Sequence, residues 1–121
     1  MTRILSLAAI MLLALSMDAA ARCSMPFIRT INNLTVDGSM TVSSGAPCSM
    51  RMRSSVGPTY SAEIVQRPSN GAATVEGANR IVYRSRPGYV GSDAFAYARR
   101  GESIGGSPVV RTVRIAVSVV R

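Results

Sequence analysis

The acidic residues are the main candidates for metal binding or acid–base chemistry in this sequence, and one of them follows a glycine-rich turn. Asp93 stands in "PGYVGSDAFAY", after a Pro-Gly turn and a second glycine. An aspartate in such a place either binds a ligand or accepts N–H bonds from the turn. Calcium needs about six to eight oxygens from clustered ligands. The acids after position 21 are scattered without a D-x-D group: Asp37, Glu63, Glu76, Asp93 and Glu102. We therefore expect Asp93 to be structural.

The groups that catalysis requires are not assembled in this sequence. The chain has no histidine, which removes the commonest general base and metal ligand. Its two cysteines cannot form a zinc site alone, and no G-x-S-x-G, Ser-Lys or Walker pattern occurs. Nothing in the spacing brings two acids together as a glycosidase pair. We expect a protein that is not an enzyme and that binds no cofactor and no metal.

The N-terminal segment has the pattern of an export signal. One arginine precedes a short apolar run, and small residues follow up to Ala21. This order predicts a cleaved signal peptide over 1–21, a domain over 22–121 and no transmembrane anchor after cleavage. Because an oxidising compartment permits disulfides, the even cysteine count predicts a Cys23–Cys48 bridge. Two free buried thiols are the alternative.

The charge balance is strongly basic and is carried by arginine alone. All 14 basic residues are arginine, against 6 acids, so the formal net charge is +8. Such a balance favours contact with acidic polysaccharide, lipid headgroups or other anionic surfaces. Specific nucleic-acid binding is not expected, because no aromatic platform interleaves with the arginines. A GC-rich genome would produce the same arginine bias, so composition is the alternative explanation.

Short strands separated by turns are the elements that would position these residues. From residue 26 onward the apolar residues alternate with period two, and no sustained helical period occurs. About seven strands, with turn signals every eight to twelve residues, predict an all-β fold. The expected architecture is an immunoglobulin-like antiparallel β-sandwich of about seven strands. The apolar face of the last and longest strand comprises Val113, Ile115, Val117 and Val119.

The same alternation predicts where the arginines point. Those of "CSMRMR" and of "RIVYRSR" face away from the apolar residues of their strands. In an immunoglobulin-like sandwich these two strands are neighbours, so their outer faces would form one arginine patch. A second basic spot is expected beside the 101–108 loop, where sandwiches often bind partners. A merely solvated face is the alternative. The candidate partner-binding residues are Arg51, Arg53, Arg80, Arg84, Arg86, Arg99 and Arg100.

Two segments in the second half of the chain share motifs with a known family. They are "IVQRPSNGAATVEGANRIVYRSRPGYVGSDAFAY" and "RTVRIAVSVV". Their x-P-x-x-G turn, I-x-Y strand, P-G-Y-x-G-x-D-x-F-x-Y corner and V-x-I-x-V strand occur in the family's order. Over about residues 62–120 the chain thus resembles the bacterial cadherin-like or immunoglobulin-like repeat. The resemblance implies the sandwich fold and leaves function open, because the family includes spacers, adhesive modules and accessory modules.

A structural corner is expected at Gly88, Gly91, Asp93 and Tyr97. In sandwiches a tyrosine near the start of a strand commonly ties the turn through its hydroxyl. Asp93 precedes Tyr97 by four positions, so both side chains point to the same side of an extended segment. We expect Asp93 to accept loop N–H bonds and to orient Tyr97, while the two glycines carry the turn.

The function predicted from these features is that of an exported, non-enzymatic interaction module. We expect it in the periplasm or at the cell surface of a bacterium. Its expected partner is an anionic surface, a polysaccharide or an envelope protein, bound through the arginines. The alternative is a structural or accessory subunit that pairs with another protein by strand addition, through a free edge expected within Val109–Val120. No oligomeric state is predicted.

Overall fold

All regular secondary structure in the described part of the chain is β-strand, which confirms the all-β prediction. The computed structural model describes residues 21–51, 59–77 and 80–121. The predicted signal peptide, apart from Ala21, and Arg53 lie outside these residues. Within them, no helix is long and apolar enough to cross a membrane. The strands are β1 (Cys23–Ser24), β2 (Thr35–Ser43), β3 (Cys48–Arg51), β4 (Thr59–Gln66), β5 (Gly71–Glu76), β6 (Arg80–Ser85), β7 (Gly91–Glu102) and β8 (Pro108–Val120).

The strands form two sheets. One sheet has five strands in the order β1-β2-β8-β7-β4, and the other has three strands in the order β3-β6-β5. Neighbouring strands are antiparallel except β2 and β8, which run parallel from the Thr35–Thr112 pair to the Ser43–Val120 pair. The chain passes between the sheets after β2, β3, β4 and β6. Each sheet is therefore completed only when strands distant in sequence come together.

Period-two alternation decides which side of each strand is buried. The predicted apolar face of β8 is at most 3% exposed, which confirms the prediction. In β6, Ile81 and Tyr83 are buried, whereas Val82 is half-buried and Arg84 is exposed. This is the pattern that two sheets produce when each buries one face and leaves the other in water.

One hydrophobic core lies between the two sheets. Tyr83 of β6 stacks on Phe95 of β7 with ring centroids 5.5 Å apart, so residues of the two sheets are in direct contact. Met40 and Val42 of β2 and Met50 of β3 are buried in the same cluster. An aromatic pair of this kind contributes about 0.5–1.5 kcal/mol beyond its buried area. The core therefore holds the two layers together as one unit.

A disulfide between Cys23 and Cys48 links the two sheets, as predicted. The two Cα atoms are 5.3 Å apart, and the cysteines are 25 positions apart in sequence. Cys23 is in β1 of the five-stranded sheet, and Cys48 is in β3 of the three-stranded sheet. Closing a loop of this length stabilises the folded state by about 3 kcal/mol, mainly because it restricts the unfolded chain.

The prediction that Val109–Val120 offers a free edge is wrong. β8 pairs with β2 on one side and with β7 on the other. The backbone N–H and C=O groups of an interior strand are hydrogen-bonded to a neighbouring strand on each side. Such a strand has no row of unpaired groups to which a partner strand could bind. In the described residues the outer strands are β1 and β4 of one sheet and β3 and β5 of the other.

Candidate functional site

The outer face of the three-stranded sheet carries three exposed arginines, Arg51, Arg80 and Arg84, which we call the arginine face. β3 pairs antiparallel with β6 and places Arg51 opposite Arg80. Arg84 lies four positions further along β6 and, by the strand's alternation, on the same side. The two arginine-bearing strands are therefore neighbours, and their exposed cations share one surface.

The arginine face retains positive charge after its internal contacts are made. Nη1 of Arg80 lies 3.6 Å from Oε2 of Glu76 in the adjacent strand β5. Nε of Arg84 donates a 2.7 Å hydrogen bond to the carbonyl oxygen of Gly45, a neutral acceptor. Arg51 and Arg80 directly face each other, and like charges in this position repel by a few tenths of a kcal/mol or more (~0.2–1). Glu76 is thus the one acid paired on this face among the described residues.

Arg86 lies just beyond β6 and is held beside the Pro-Gly turn. Its Nη2 donates to Oδ1 of Asn70 at 2.9 Å. Its guanidinium carbon lies 5.7 Å from the centroid of the Tyr89 ring, a distance at which cation–π attraction acts. Arg86 is an exposed and well-oriented cation. The remaining expected member of the patch, Arg53, lies outside the described residues.

The second basic spot, expected at Arg99 and Arg100, is not a surface pair. Arg100 is exposed and forms a 3.3 Å ion pair with Glu63 of β4. Arg99 is only 2% exposed, and its Nη2 donates to the hydroxyl of Thr59 at 2.8 Å. Consecutive residues of a strand point to opposite faces, so one arginine of the pair had to point inward. Arg99 therefore cannot bind a large surface partner.

Arg111 is a buried arginine that the sequence reasoning missed. It is fully buried and lies directly opposite Arg99 across the β7–β8 pair. Its Nε donates to Oδ1 of Asn32 at 2.9 Å, and its Nη2 donates to the carbonyl oxygen of Glu102 at 3.0 Å. Arg111 occupies the same alternate positions as the buried valines of β8, and this signal was available in the sequence.

The two buried arginines bring two guanidinium side chains together in the interior of the β7–β8 pair. Burial lowers the pKa of the Arg99 guanidinium; nearby Tyr97 raises this pKa, and the neighbouring charge of Arg111 lowers it. Arginine nevertheless stays protonated at neutral pH. Two cations are therefore adjacent in a poorly solvated region, where electrostatic interactions between charged groups are stronger than at the surface.

Asp93 is a buried hydrogen-bond acceptor at the corner. It is 8% exposed. Its carboxylate accepts bonds from the backbone N–H groups of Ser69 at 3.0 Å and Asn70 at 3.2 Å. It also accepts bonds from the Tyr83 hydroxyl at 2.7 Å and from the N–H of Ala94 at 2.9 Å. A buried carboxylate needs such donors to offset its lost hydration. Asp93 thus joins the 69–70 turn to strands β6 and β7.

The hydroxyl that bonds Asp93 belongs to Tyr83 and not to Tyr97, which corrects the expected corner. Residues four apart on one strand are separated by roughly 13 Å, beyond hydrogen-bond reach, whereas Tyr83 reaches Asp93 from the opposite sheet. Burial raises the pKa of the Tyr83 hydroxyl, and the bond to Asp93 raises it further. Burial also raises the pKa of Tyr97, to about 12, although Arg99 has a lowering effect.

Gly88 and Gly91 adopt backbone conformations suited to glycine at the turn before β7. Their φ angles are 83° and 143°, in the region that L side chains rarely enter. Between them, the Tyr89 hydroxyl donates to the carbonyl oxygen of Ser92. The glycines therefore let the chain turn into β7, and the tyrosine fixes the turn.

A cavity of about 280 Å³, which we call the Arg99 cavity, lies on the inner side of β7. Its walls come from residues 25–30 after β1, from the 49–51 portion of β3 and from Tyr97 and Arg99. Phe27 lines it and is 89% exposed, so this ring lies at the rim. The cavity combines apolar walls with two arginines, Arg51 and Arg99.

Comparisons of the chain with protein-family models, with curated proteins and with solved structures find no match. Within the described ranges, no group of three His, Cys, Asp or Glu residues is arranged so that it could hold a metal ion. The arginine face and the Arg99 cavity are therefore the candidate sites in the part of the chain that the structure describes.

Proposed function

We propose that the protein is an exported, non-enzymatic interaction module with an immunoglobulin-like β-sandwich fold that binds an anionic surface or polymer. The observation that carries this proposal is the arginine face, where Arg51, Arg80 and Arg84 project from one side of a single sheet. Anionic polysaccharide is the partner class that this surface fits best, because an exposed sheet face spreads its charges over an open surface instead of enclosing them in a pocket.

The strand order supports the immunoglobulin-like assignment. If β3 to β8 are taken as strands B to G, the sheets are B-E-D and C-F-G, with β2 beside strand G. This is the sheet division of immunoglobulin-like domains. The corner motif that carries the cadherin-like resemblance lies at the start of β7, the strand taken as F.

The distribution of carboxylates supports binding of an external anion. Arg100 and Arg114 are paired with Glu63 and Asp37 on the other sheet, and Asp93 is engaged in the interior. On the arginine face three cations accompany one acid. Negative charge from a partner would therefore relieve the repulsion between Arg51 and Arg80 and screen the excess of positive charge.

The disulfide supports export. Disulfides form and persist in oxidising compartments such as the bacterial periplasm or the extracellular space. The bridge between Cys23 and Cys48 fits the prediction that the residues before it are a cleaved signal peptide. We propose the periplasm or the cell surface as the location.

The test measures binding to a soluble sulfated polysaccharide for two double variants with equal net charge. Arg51→Gln/Arg84→Gln removes two cations from the arginine face, whereas Arg114→Gln/Arg121→Gln removes two exposed cations elsewhere. We expect the first variant to bind about tenfold more weakly than the wild type, since each exposed contact is worth about 0.2–1 kcal/mol. The control variant should lose much less of its affinity for the polysaccharide. Equal losses in the two variants would mean that only net charge matters, and the proposal would be wrong.

Strand addition is the second candidate function, and β5 is the strand that favours it. β5 is an outer strand with unbroken pairing to β6 from Gly71 to Glu76. β4, the other long outer strand, has irregular pairing near Ser61 and Val65, and such bulges discourage edge pairing. Binding by strand addition should change little between about 0.05 and 0.5 M salt, whereas binding through the arginines should weaken steeply.

A further inference from the structure

We propose that the Arg99 cavity binds a small amphiphilic carboxylate, with its carboxylate at Arg99, in the field of the exposed lining residue Arg51, and its apolar part against the 25–30 segment. This inference concerns a second site, which shares Arg51 with the arginine face but does not depend on polyanion binding there. It rests on the shape of the cavity, on the chemistry of its walls and on its charge.

The walls of the cavity suit an apolar group of limited size. Met25, Phe27, Ile28 and Met50 are among the residues that line it. A volume of about 280 Å³ is close to the lower end of small-molecule sites, which span about 300–1,000 Å³. An acyl chain of medium length or a single aromatic ring fits this space, whereas a polysaccharide chain does not. Methionine adapts its shape to irregular ligands, which suits a site of this kind.

The charge of the cavity selects an anion. Arg99 lines the cavity and is 2% exposed, whereas Arg51 is an exposed lining residue of the edge strand β3. Arg111 lies opposite Arg99 and adds a further buried positive charge nearby. The described residues that line the cavity include no acid. A guanidinium presents five N–H donors in a planar fork that matches the geometry of a carboxylate, and Arg99 uses Nη2 to bond the Thr59 hydroxyl.

The polar groups beside the arginines complete a site with one polar and one apolar part. Thr30 also lines the cavity, and its hydroxyl is a further donor for a carboxylate oxygen. Ligand sites commonly combine predominantly apolar walls with a few polar groups that fix orientation. Because Arg99 is already poorly solvated, an ion pair with it would be stronger than one at the surface.

The experiment titrates the protein with octanoate and, as matched probes, with octanamide and acetate by isothermal calorimetry. Octanamide keeps the chain and lacks the charge, and acetate keeps the charge and lacks the chain. We expect saturable octanoate binding with a dissociation constant below about 1 mM. Both other probes should bind at least about tenfold more weakly, because each lacks one of the two interactions.

Variants locate the octanoate site. Phe27→Ser changes an exposed rim residue and should weaken octanoate binding at least about threefold through lost apolar contact. Arg51→Gln should weaken it by a similar factor through lost charge. Arg84→Gln should leave octanoate binding unchanged and weaken polysaccharide binding. This variant therefore distinguishes a failure of the cavity proposal from a failure of the proposed function.

Each contrary result overturns the proposal. Absence of saturable octanoate binding excludes the site, and equal binding of octanamide removes the role of the arginines. Equal binding of acetate leaves an anion site without an apolar part, which is a different site from the one proposed. Octanoate binding that survives both Phe27→Ser and Arg51→Gln places the ligand elsewhere.

Discussion

Tyr83 and Asp93 meet across the interior, and their hydrogen bond joins the two sheets at one point. The Tyr83 hydroxyl donates to Asp93 over 2.7 Å, and both residues are buried. The same carboxylate accepts the N–H groups of Ser69 and Asn70. Asp93 therefore fixes a turn and a cross-sheet contact together, which gives this residue a structural role independent of any ligand.

At this scale we predict that Tyr83→Phe lowers the free energy of unfolding by about 2 kcal/mol. The change keeps the ring stacked on Phe95 and removes one hydrogen bond to a charged group, worth about 1.5–3 kcal/mol. Urea denaturation followed by circular dichroism measures the effect. Tyr60→Phe, at a tyrosine that is 62% exposed, serves as the control and should change stability by less than about 0.5 kcal/mol. Equal stability of the Tyr83→Phe variant and the wild type would show that the bond contributes nothing.

At the scale of single strands, the close pairing of β5 with β6 depends on a glycine. A Cβ added at Gly71 would lie 2.4 Å from the carbonyl oxygen of Arg84 and 2.9 Å from the Cα of Ser85. Both contacts are with backbone atoms, which cannot move aside without shifting β6. β6 carries two of the three arginines of the arginine face, so this pairing also positions the proposed binding surface.

We predict that Gly71→Ala lowers the free energy of unfolding by about 1–3 kcal/mol, which is typical of substitutions that overpack the interior. The matched control is Gly105→Ala, where the added Cβ would meet only the Ser103 hydroxyl oxygen at 3.8 Å. Thermal unfolding of the two variants measures the difference. The two variants unfolding at the same temperature would contradict the close approach of β5 and β6.

Strand alternation also explains which site residues the sequence could reveal. Arg51 and Arg84 follow the alternation of their strands and point outward. The same rule, applied to β7 and β8, would have placed Arg99 with Tyr97 and Arg111 with Val113 on the inner face. The expectation that both Arg99 and Arg100 were exposed relied on their nearness to a loop, and the strand in fact continues to Glu102.

At the scale of the whole molecule, two buried tyrosines make stability sensitive to alkaline pH. The pKa values of Tyr83 and Tyr97 lie above the ordinary value of about 10. The folded state favours the neutral form of both hydroxyl groups. The stability that this preference contributes to the folded state is therefore fully present below about pH 10. This stability is lost as the pH rises above that value, and the part that comes from Tyr97 is lost as the pH passes through its pKa of about 12.

We therefore predict that the unfolding temperature of the wild type falls between about pH 10 and pH 12. A Tyr97→Phe variant should show a shallower fall, since it lacks one of the ionising groups. Thermal melts at closely spaced pH values measure both slopes. Parallel curves for the wild type and the variant would contradict a raised pKa at Tyr97.

The all-β class, the disulfide and the buried face of the long last strand could be predicted from the sequence, because they follow from local alternation and from a cysteine pair. The order of the strands, in which β8 is an interior strand, could be seen only in the folded protein. The same holds for the bond between Tyr83 and Asp93, and for Arg99 and Arg111, which lie side by side near a cavity. The physical reason is that alternation specifies which side of a strand is apolar, whereas contacts between distant strands depend on which sheets those strands join.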